Sequence, residues 1–383
     1  MNTTTSITPK TIVVVGATGH QGSSVVQTFL SLRPHWHVRA LTRDPTSAAA
    51  QKLAAQGAEV VQADLETEDG DTTDAGGGAS SLEAAFAGAH AIFLNTDFWA
   101  PYRTALAAGA TQDAASRTGF ATEMRHARHA VAAAAKAAPS TLERFVYSAL
   151  APLRQASDGR YTHSYHWDSK AAAASWIASP ASGVAEKASY IYVGAYSTNP
   201  LILPQRLKKE KLETTTNAGA PDDEEYEYVM RLPAGRGMRM PVLDIAASTG
   251  PFVRCLVEDE PAKTNLLAYD EYLDVDGLLR AWTEAMSSSD GDDDDDDDNE
   301  KTPLPPQFVQ MGLHELSRVT GLPLEVLEAP PFVEEFGYMG GVSGFVEPHQ
   351  LRNRPGTRTL AVTLKSHGRE YLLGAKLPTA TTI

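Results

Sequence analysis

The feature that most constrains the fold is a glycine-spaced turn close to the N-terminus. Thr11 to Val15 is a short β-branched run typical of a fully buried strand, and the sequence Gly16-Ala-Thr-Gly19-His-Gln-Gly22 follows it directly. The helical pattern of Ser23 to Leu32 comes next. A buried strand, a tight glycine turn and a helix in this order predict the first unit of a parallel α/β sheet.

Each glycine of this turn has its own purpose in binding a ligand. Gly16 permits the sharp exit from the strand, Gly19 lets the backbone approach a pyrophosphate, and Gly22 lets the helix pack on the sheet while its first amides face the phosphates. The alternative is a turn that binds no ligand, but such a turn would not require all three glycines. We therefore predict that the turn binds a dinucleotide through Gly16, Ala17, Thr18, Gly19, His20, Gln21 and Gly22.

Strand and helix patterns continue to alternate along the first half of the chain. The predicted strands are His37–Thr42, Glu59–Gln62, Ala91–Leu94, Arg144–Tyr147 and Tyr190–Val193, with helical patterns between them. The longest of these patterns is an alanine-rich helix over Gly119–Ala138. This order predicts a Rossmann-like, doubly wound parallel sheet over residues 1–200, to which residues 240–260 return. Residues 201–239 and 261–383 are expected to form a smaller mixed α+β lobe that contacts a substrate or a protein partner.

Charge is concentrated in two segments that match no regular element. Residues from about 66 to 79 and from about 287 to 302 are rich in acidic residues, and we expect both to be disordered inserts. The net charge is −15, but without the acidic residues of Glu66–Asp74 and Asp290–Glu300 the chain has 34 acidic and 33 basic residues. A nearly neutral body argues against direct nucleic-acid binding.

Composition narrows the class of protein further. Apolar residues make up 42% of the chain, yet no run approaches the roughly 18 residues that a membrane span needs. The single cysteine, Cys255, excludes an internal disulfide framework and a multi-thiolate zinc site. A reducing compartment and the lack of a recognisable cleaved signal indicate a protein of the cytoplasm or nucleus, without membrane contact.

The end of the second predicted strand indicates which dinucleotide is bound. A carboxylate there would accept hydrogen bonds from a ribose 2′-hydroxyl, whereas Arg43 offers a planar fork suited to a 2′-phosphate. NADP(H) is therefore favoured over NAD, with a solvated surface arginine as the alternative and the neighbouring Asp44 as a weakening factor. Asp64, after the third strand, is placed to meet the adenine amino group or to cap a helix.

Several further segments carry a family resemblance in combination with the glycine turn. They are Leu41-Thr-Arg-Asp-Pro45, Ala63-Asp64-Leu65, Leu82–Ala89, Leu94-Asn-Thr-Asp-Phe-Trp99, His166-Trp-Asp-Ser-Lys170 and Tyr196-Ser-Thr-Asn199. Together they resemble the NmrA-like family of the fungal type, atypical members of the short-chain dehydrogenase/reductase superfamily. The resemblance covers about residues 10 to 260.

The resemblance implies a cofactor and a set of contacts. Gly16 to Gln21 would hold the pyrophosphate of NADP(H) or NAD(P), and Arg43 the 2′-phosphate. The remaining implied contacts are Asp64 and Leu65 for the adenine, Thr96, Asp97 and Phe98 for the ribose, and Lys170, Tyr196, Ser197, Thr198 and Asn199 for the nicotinamide end. Members of the family include redox-sensing regulators and oxidoreductases of fungal secondary metabolism.

The expected catalytic motif of such a reductase is only partly present. Ser148 is placed to position a carbonyl, and Lys170 stands where the ribose-binding lysine is expected, but His166 replaces the tyrosine four residues before it. His166 and Lys170 share one helical face, while Tyr165 lies about 100° around the helix. This substitution leaves the proton donor open.

Three interpretations of the donor remain. The imidazole of His166 suits proton transfer near neutral pH, although the Lys170 ammonium would disfavour its charged form. Tyr161 or Tyr165 would donate if the helix began later than predicted. Alternatively, the site binds NADP(H) without hydride chemistry.

We therefore expect an oxidoreductase acting on a small metabolite, or else a catalytically silent NADP(H)-responsive redox sensor and transcriptional regulator acting through a protein partner. No metal site is expected, because the neighbouring histidines His126 and His129 lack a third ligand and are interpreted as surface residues.

Overall fold

The structure is a computed structural model in which residues 8–66, 82–208, 226–287, 305–374 and 377 are described. The predicted inserts fall mainly on residues 67–81 and 288–304, outside the described residues. The same holds for residues 209–225, which belong to the predicted lobe.

The described chain contains fourteen strands. In order they are β1 (Lys10–Val15), β2 (Trp36–Thr42), β3 (Glu59–Gln62), β4 (Ala91–Leu94), β5 (Arg144–Ala149), β6 (Ala188–Val193), β7 (Ala195–Tyr196), β8 (Gln205–Lys208), β9 (Tyr226–Leu232), β10 (Arg239–Leu243), β11 (Asn265–Ala268), β12 (Glu271–Asp274), β13 (Gln307–Gln310) and β14 (Phe345–Val346).

Fourteen α-helices lie between and after these strands in the described residues. They are α1 (His20–Leu30), α2 (Ala48–Ala55), α3 (Leu82–Phe86), α4 (Trp99–Ala107), α5 (Gln112–Ala137), α6 (Leu153–Ala156), α7 (Tyr165–Ile177), α8 (Ile245–Arg254), α9 (Val275–Ser287), α10 (Leu313–Thr320), α11 (Leu324–Leu327), α12 (Ala329–Phe336), α13 (Leu360–His367) and α14 (Arg369–Leu373).

Eight strands form one large sheet in the order β14-β11-β6-β5-β4-β1-β2-β3. Every neighbouring pair in this sheet is parallel. Two three-stranded sheets, β12-β10-β7 and β13-β9-β8, lie outside it. The predicted Rossmann-like, doubly wound sheet with a smaller mixed part is therefore confirmed.

The large sheet is buried on both faces because side chains alternate along each strand. In β1, Val13 and Val15 face the core beneath α5 and α7, whereas Ile12 and Val14 face the core beneath α1 and α8. All four are almost completely buried, which explains why the strand is a continuous apolar run. The result is a three-layer α/β/α body.

The chain ranges predicted for the two domains do not correspond one to one with the sheets. β11 and β14 join the large sheet although they come from residues 261–383. β10, which spans residues 239–243, pairs with β7 and β12 in a small sheet, while α8 packs on α1. The division of the chain into a cofactor domain and a lobe stays a prediction.

Candidate functional site

The site lies where the strand order of the large sheet reverses. β1 and β4 are neighbours, with β2 and β3 added on one side and β5 and β6 on the other. In open α/β sheets, ligands bind in the crevice outside the carboxyl ends of the strands at this switch point. A cavity of about 1360 Å³ occupies that position.

The glycine turn forms the floor of this crevice. Gly16 has φ +78°, and a Cβ there would lie 3.0 Å from the carbonyl oxygen of Asn95. A Cβ on Gly22 would lie 2.1 Å from the Gly16 carbonyl oxygen, so both positions require glycine for backbone reasons. α1 begins at His20 without a side-chain cap, so its first N–H groups are left for a ligand.

Five of the seven predicted turn residues line the cavity, namely Gly16, Thr18, Gly19, His20 and Gln21. Ala17 and Gly22 do not line it; both are buried behind the turn. The side chain of Gln21 donates from Nε2 to the Tyr196 hydroxyl at 3.0 Å. Its Oε1 is a buried acceptor with no hydrogen-bond partner in the described chain. The turn therefore fits a dinucleotide.

Arg43 and Asp44 line one end of the cavity. The exposed Arg43 guanidinium makes no ion pair within the described part of the chain, and its backbone carbonyl accepts a bond from Gln62. The Asp44 carboxylate instead accepts bonds from the backbone N–H and hydroxyl of Thr46. These bonds lower the pKa of Asp44.

The segment after β3 lines the same end of the cavity. Asp64 and Leu65 are both in the wall, and the Asp64 carboxylate accepts a bond from the backbone N–H of Glu66. His126 and His129, interpreted from sequence as surface residues, hold this segment against α5. His126 Nε2 lies 2.8 Å from Glu66 Oε1, and His129 Nδ1 donates to the Leu65 carbonyl at 2.8 Å. The His126 side chain is only 13% exposed, so the surface interpretation does not fit it.

Thr96, Asp97 and Phe98 follow β4 and all line the cavity. Thr96 and Phe98 are buried, whereas Asp97 is exposed and caps α4 by accepting bonds from the N–H groups of Trp99 and Ala100. Tyr196 at the end of β7 lines the cavity, and so do Thr198 and Asn199 just after it. Ser197 is buried away from it, with its N–H bonded to the Leu243 carbonyl.

Lys170 reaches the carboxyl end of β4 from α7. Its Nζ lies 2.9 Å from Glu123 Oε1, and it donates to the Thr96 carbonyl at 3.0 Å and to Asn95 Oδ1 at 3.2 Å. The Glu123 side chain is fully buried, and it also accepts bonds from the hydroxyls of Thr96 and Ser169. Lys170 thus stands as a charged group at the switch point, where the nicotinamide end was predicted.

His166 lies one turn before Lys170 and also lines the cavity. Its Nδ1 and its backbone N–H both donate to Glu325 Oε1 at 2.7 Å. The Ser116 hydroxyl donates to the other carboxylate oxygen at 2.5 Å. The ring is flanked by Trp99, with centroids 4.9 Å apart. A carboxylate on Nδ1 fixes the ring and leaves Nε2 as the nitrogen available to a ligand.

The two tyrosines considered as alternative donors are engaged elsewhere. Neither Tyr161 nor Tyr165 lines the cavity. The Tyr161 hydroxyl donates to Glu335 at 2.7 Å, and burial together with this bond raises the pKa of Tyr161 well above its usual value. Tyr165 packs on Phe120 and under the Arg154 guanidinium. Ser148, at the end of β5, is buried and lines the cavity as its predicted role requires.

Two carboxylates of the site were not predicted. Glu123 belongs to an alanine-rich helix whose polar residues look like a solvated face, and Glu325 lies in the C-terminal part, which shows no clear order in the sequence. Neither segment carries a sequence pattern that distinguishes its glutamate from the other polar residues. Within the described residues, no group of three or more His, Cys, Asp or Glu side chains is arranged for a metal ion. No described helix is long and apolar enough to cross a membrane.

The fold and this crevice define an α/β protein of the dinucleotide-binding type. The sequence model of the NmrA-like family matches residues 8–286, and the chain belongs to this family. The predicted resemblance is confirmed.

Named relatives come from fungi. The NmrA-like family domain-containing oxidoreductase ptmS of Penicillium ochrochloron is 42% identical over 99 residues, covering 24% of this chain and 26% of that protein. The oxidoreductase cpsB of Aspergillus campestris is 45% identical over 89 residues, covering 23% of each. The matched segments span about a quarter of these relatives.

Solved structures with a similar fold cover nearly the whole chain. The negative transcriptional regulator NmrA in complex with NADP has a TM-score of 0.54 at 19% identity, covering 95% of this chain and 94% of that chain. The leucoanthocyanidin reductase–NADPH complex from Vitis vinifera has a TM-score of 0.55 at 14% identity, covering 95% and 99%. NmrA has also been solved with NAD. These identities show a shared fold.

Proposed function

We propose that this protein is an NADP(H)-dependent oxidoreductase acting on a small metabolite in the cytoplasm or nucleus. The observation that carries the proposal is one continuous cavity that joins the Gly16–Gly22 turn to His166 and Lys170 at the switch point. The family relatives named as oxidoreductases, and the neighbours solved with NADP or NADPH, support it.

The preference for NADP(H) rests on Arg43. Its guanidinium is at the cavity wall and unpaired within the described chain, while Asp44 is occupied by Thr46. A planar guanidinium binds a phosphate through two charge-assisted bonds. Lys170, Tyr196, Thr198 and Asn199 are proposed to hold the nicotinamide end, and Asp64 with Leu65 the adenine. Ser197 is proposed only to support this segment from behind.

The reduction itself divides between the cofactor and the protein. Bound NADPH supplies the hydride. Ser148 positions the substrate carbonyl or conjugated group, and Nε2 of His166 delivers the proton to the atom that becomes negative. Glu325 holds the imidazole through Nδ1, in the way that a carboxylate orients a catalytic histidine. Lys170 supplies a fixed positive charge beside the developing negative charge.

The substrate is proposed to be largely apolar. One side of the cavity consists of apolar and aromatic side chains from the segment after β7, from β10, from α11 and α12 and from the residues that follow α12: Leu201, Ile202, Met240, Val326, Ala329, Pro330 and Tyr338. The Tyr338 hydroxyl donates to the Val193 carbonyl at 2.7 Å, so this ring presents an apolar face. Such a wall favours apolar over charged metabolites.

A second candidate function is a catalytically silent, NADP(H)-responsive regulator that acts through a protein partner. Two observations favour it: neither Tyr161 nor Tyr165 lines the cavity, so the conventional tyrosine donor is missing, and NmrA itself is a negative transcriptional regulator. A silent protein would bind NADP(H) and change its captured partners with cofactor occupancy.

Consumption of NADPH with a panel of aromatic ketones and conjugated enones separates the two functions. The oxidoreductase proposal expects turnover that His166→Phe abolishes without loss of cofactor affinity, whereas Lys170→Ala lowers both. Turnover that survives His166→Phe would assign the donor elsewhere. NADPH binding without turnover, together with cofactor-dependent capture of a protein, would favour the regulator.

A further inference from the structure

Glu123 is a buried carboxylate behind the cavity wall. The proposed reduction gives it no role. None of its side chain is exposed, and it does not line the cavity itself. It acts on the site only through its neighbours Lys170, Thr96 and Ser169. An isolated buried carboxylate is costly, so these three partners must compensate for its burial.

The partners of Glu123 all donate. Thr96 Oγ1 donates to Oε1 at 2.7 Å, the Ser169 hydroxyl donates to Oε2, and Lys170 Nζ lies 2.9 Å from Oε1. A carboxylate with three donors is satisfied in its ionised form. The negative charge of Glu123 also acts on Tyr147. The pKa of Tyr147 is raised well above its usual value, chiefly by complete burial and secondly by the Glu123 charge.

The polar atoms around Nζ of Lys170 are all oxygens that accept hydrogen bonds. Four oxygens surround Nζ: Glu123 Oε1 at 2.9 Å, the Thr96 carbonyl at 3.0 Å, Asn95 Oδ1 at 3.2 Å and Thr96 Oγ1 at 3.4 Å. An ammonium has three donors and no acceptor, which suits four oxygens. A neutral amine would place its lone pair against one of them. The Tyr147 ring, 5.8 Å from Nζ, adds a further contact that favours a cation.

We propose that Glu123 is the positioning residue of this site: its carboxylate keeps Lys170 positively charged and holds Nζ at the carboxyl end of β4. Lys170 then acts as a fixed cation and does not accept a proton, so proton delivery falls to His166. The consequence for catalysis rests on the proposed function, whereas the charge pairing does not depend on it.

Labelling of the cofactor-free protein with trace acetic anhydride tests the charge pairing alone. Only the uncharged amine reacts, and a nearby negative charge disfavours that form. We expect Glu123→Gln to speed acetylation of Lys170 about tenfold or more at mildly alkaline pH. The control is Glu260→Gln, a buried carboxylate outside the cavity that accepts a bond from the Arg352 N–H. An unchanged rate in Glu123→Gln would overturn the proposal.

A double variant covers the case in which Glu123→Gln does not fold. The single change leaves Lys170 as a buried charge without its carboxylate, which is strongly destabilising. Glu123→Gln combined with Lys170→Met removes both charges, so it should recover the folded state by thermal melting. A double variant as unstable as the single one would contradict the pairing.

The role in the cofactor site is tested by NADPH affinity. Glu123→Gln should weaken NADPH binding severalfold in the wild-type background and have no further effect in the Lys170→Met background. An equal loss in both backgrounds would show a merely structural role. Failure of the wild-type protein to bind NADPH would reject the proposed function, while the acetylation result would still decide the pairing.

Discussion

The Nδ1 atom of His166 lies 2.7 Å from Oε1 of Glu325, a residue 159 positions later in the chain. The contact joins α7 of the Rossmann-like part to the short helix α11 of the C-terminal part. The Glu325 side chain is 2% exposed and that of His166 15%, so the pair is shielded from water and fixed by the packing of the two parts. In the proposed reaction, His166 takes the tyrosine's place as proton donor, with an orienting carboxylate that a tyrosine would not need.

We predict that Glu325→Gln lowers NADPH-dependent turnover at least tenfold, which is part of the roughly 100- to 10,000-fold that a general acid contributes. Glutamine can present its NH₂ group to Nδ1 and so lose the orientation of the ring. The matched control is Glu328→Gln, since Glu328 makes the same kind of pair with His163, outside the cavity. Steady-state kinetics in which both variants lose activity equally would argue against a role for Glu325.

Arg43→Ala should weaken NADPH binding about 10- to 100-fold, which corresponds to the roughly 1.5–3 kcal/mol of a hydrogen bond to a charged group. The affinity for NADH should stay nearly unchanged, because NADH lacks the 2′-phosphate. Lys52→Ala, an exposed cation on α2 that does not line the cavity, is the control. Calorimetric titration measures both coenzymes, and equal losses for both would contradict this role of Arg43.

Substitutions of two glycines of the turn should have different effects, one on stability and the other on NADPH binding. A Cβ on Gly22 would strike the Gly16 carbonyl at 2.1 Å, so Gly22→Ala should lower stability by more than about 2 kcal/mol. A Cβ on Gly19 would be 3.4 Å from that same oxygen, an ordinary contact. Gly19→Ala should therefore fold normally but bind NADPH weakly, since its methyl group occupies the phosphate approach.

Thermal melting and NADPH titration of both variants test this difference. Gly356→Ala is the control, because a Cβ there would meet nothing within 4 Å. A stable Gly22→Ala protein, or a Gly19→Ala protein with wild-type affinity, would contradict the assigned roles.

Asp270 should make stability depend on pH. Burial raises its pKa from 3.8 to about 6, although bonds from the Asp244 N–H and the Ser248 hydroxyl lower it. Because the folded pKa lies above the unfolded one, this group's stabilising contribution is full below about pH 4 and is lost as the pH rises through about 6. Ionised Asp270 therefore destabilises the fold at neutral pH.

Asp270→Asn should raise the melting temperature near neutral pH, and the gain should disappear near pH 4. The exposed Asp113, changed to Asn, serves as a control without such a pH-dependent gain. A gain of Asp270→Asn that is the same at both pH values would show that its ionisation is not the cause.

The Rossmann-like half is predictable from sequence because its signals are local. The strand Glu59–Gln62 is found as predicted, since a short apolar run between turn residues carries its own boundaries. The helix predicted from Gly119 instead begins at Gln112, where Thr111 caps it. A glycine at position 119 suggested a helix boundary. In the structure Gly119 lies inside α5, where a Cβ would be 2.7 Å from the Phe98 ring.

The carboxylates at the site are not predictable in the same way. The partners of Glu123 and Glu325 lie far away in sequence. No residue spacing within either segment therefore indicates that these glutamates belong to the site. The C-terminal part combines mostly short helices with strands of two to four residues, and it is ordered by contacts with the sheet more than by periodicity.

Fluorescence titration of the purified wild-type protein with NADPH and with NADH tests the central claim most directly. We predict saturable binding of both coenzymes, with NADPH at least tenfold tighter, in keeping with about 1.4 kcal/mol or more from Arg43. Equal affinity for the two would contradict the assignment of Arg43. No saturable binding of NADPH by the folded protein would contradict the account as a whole.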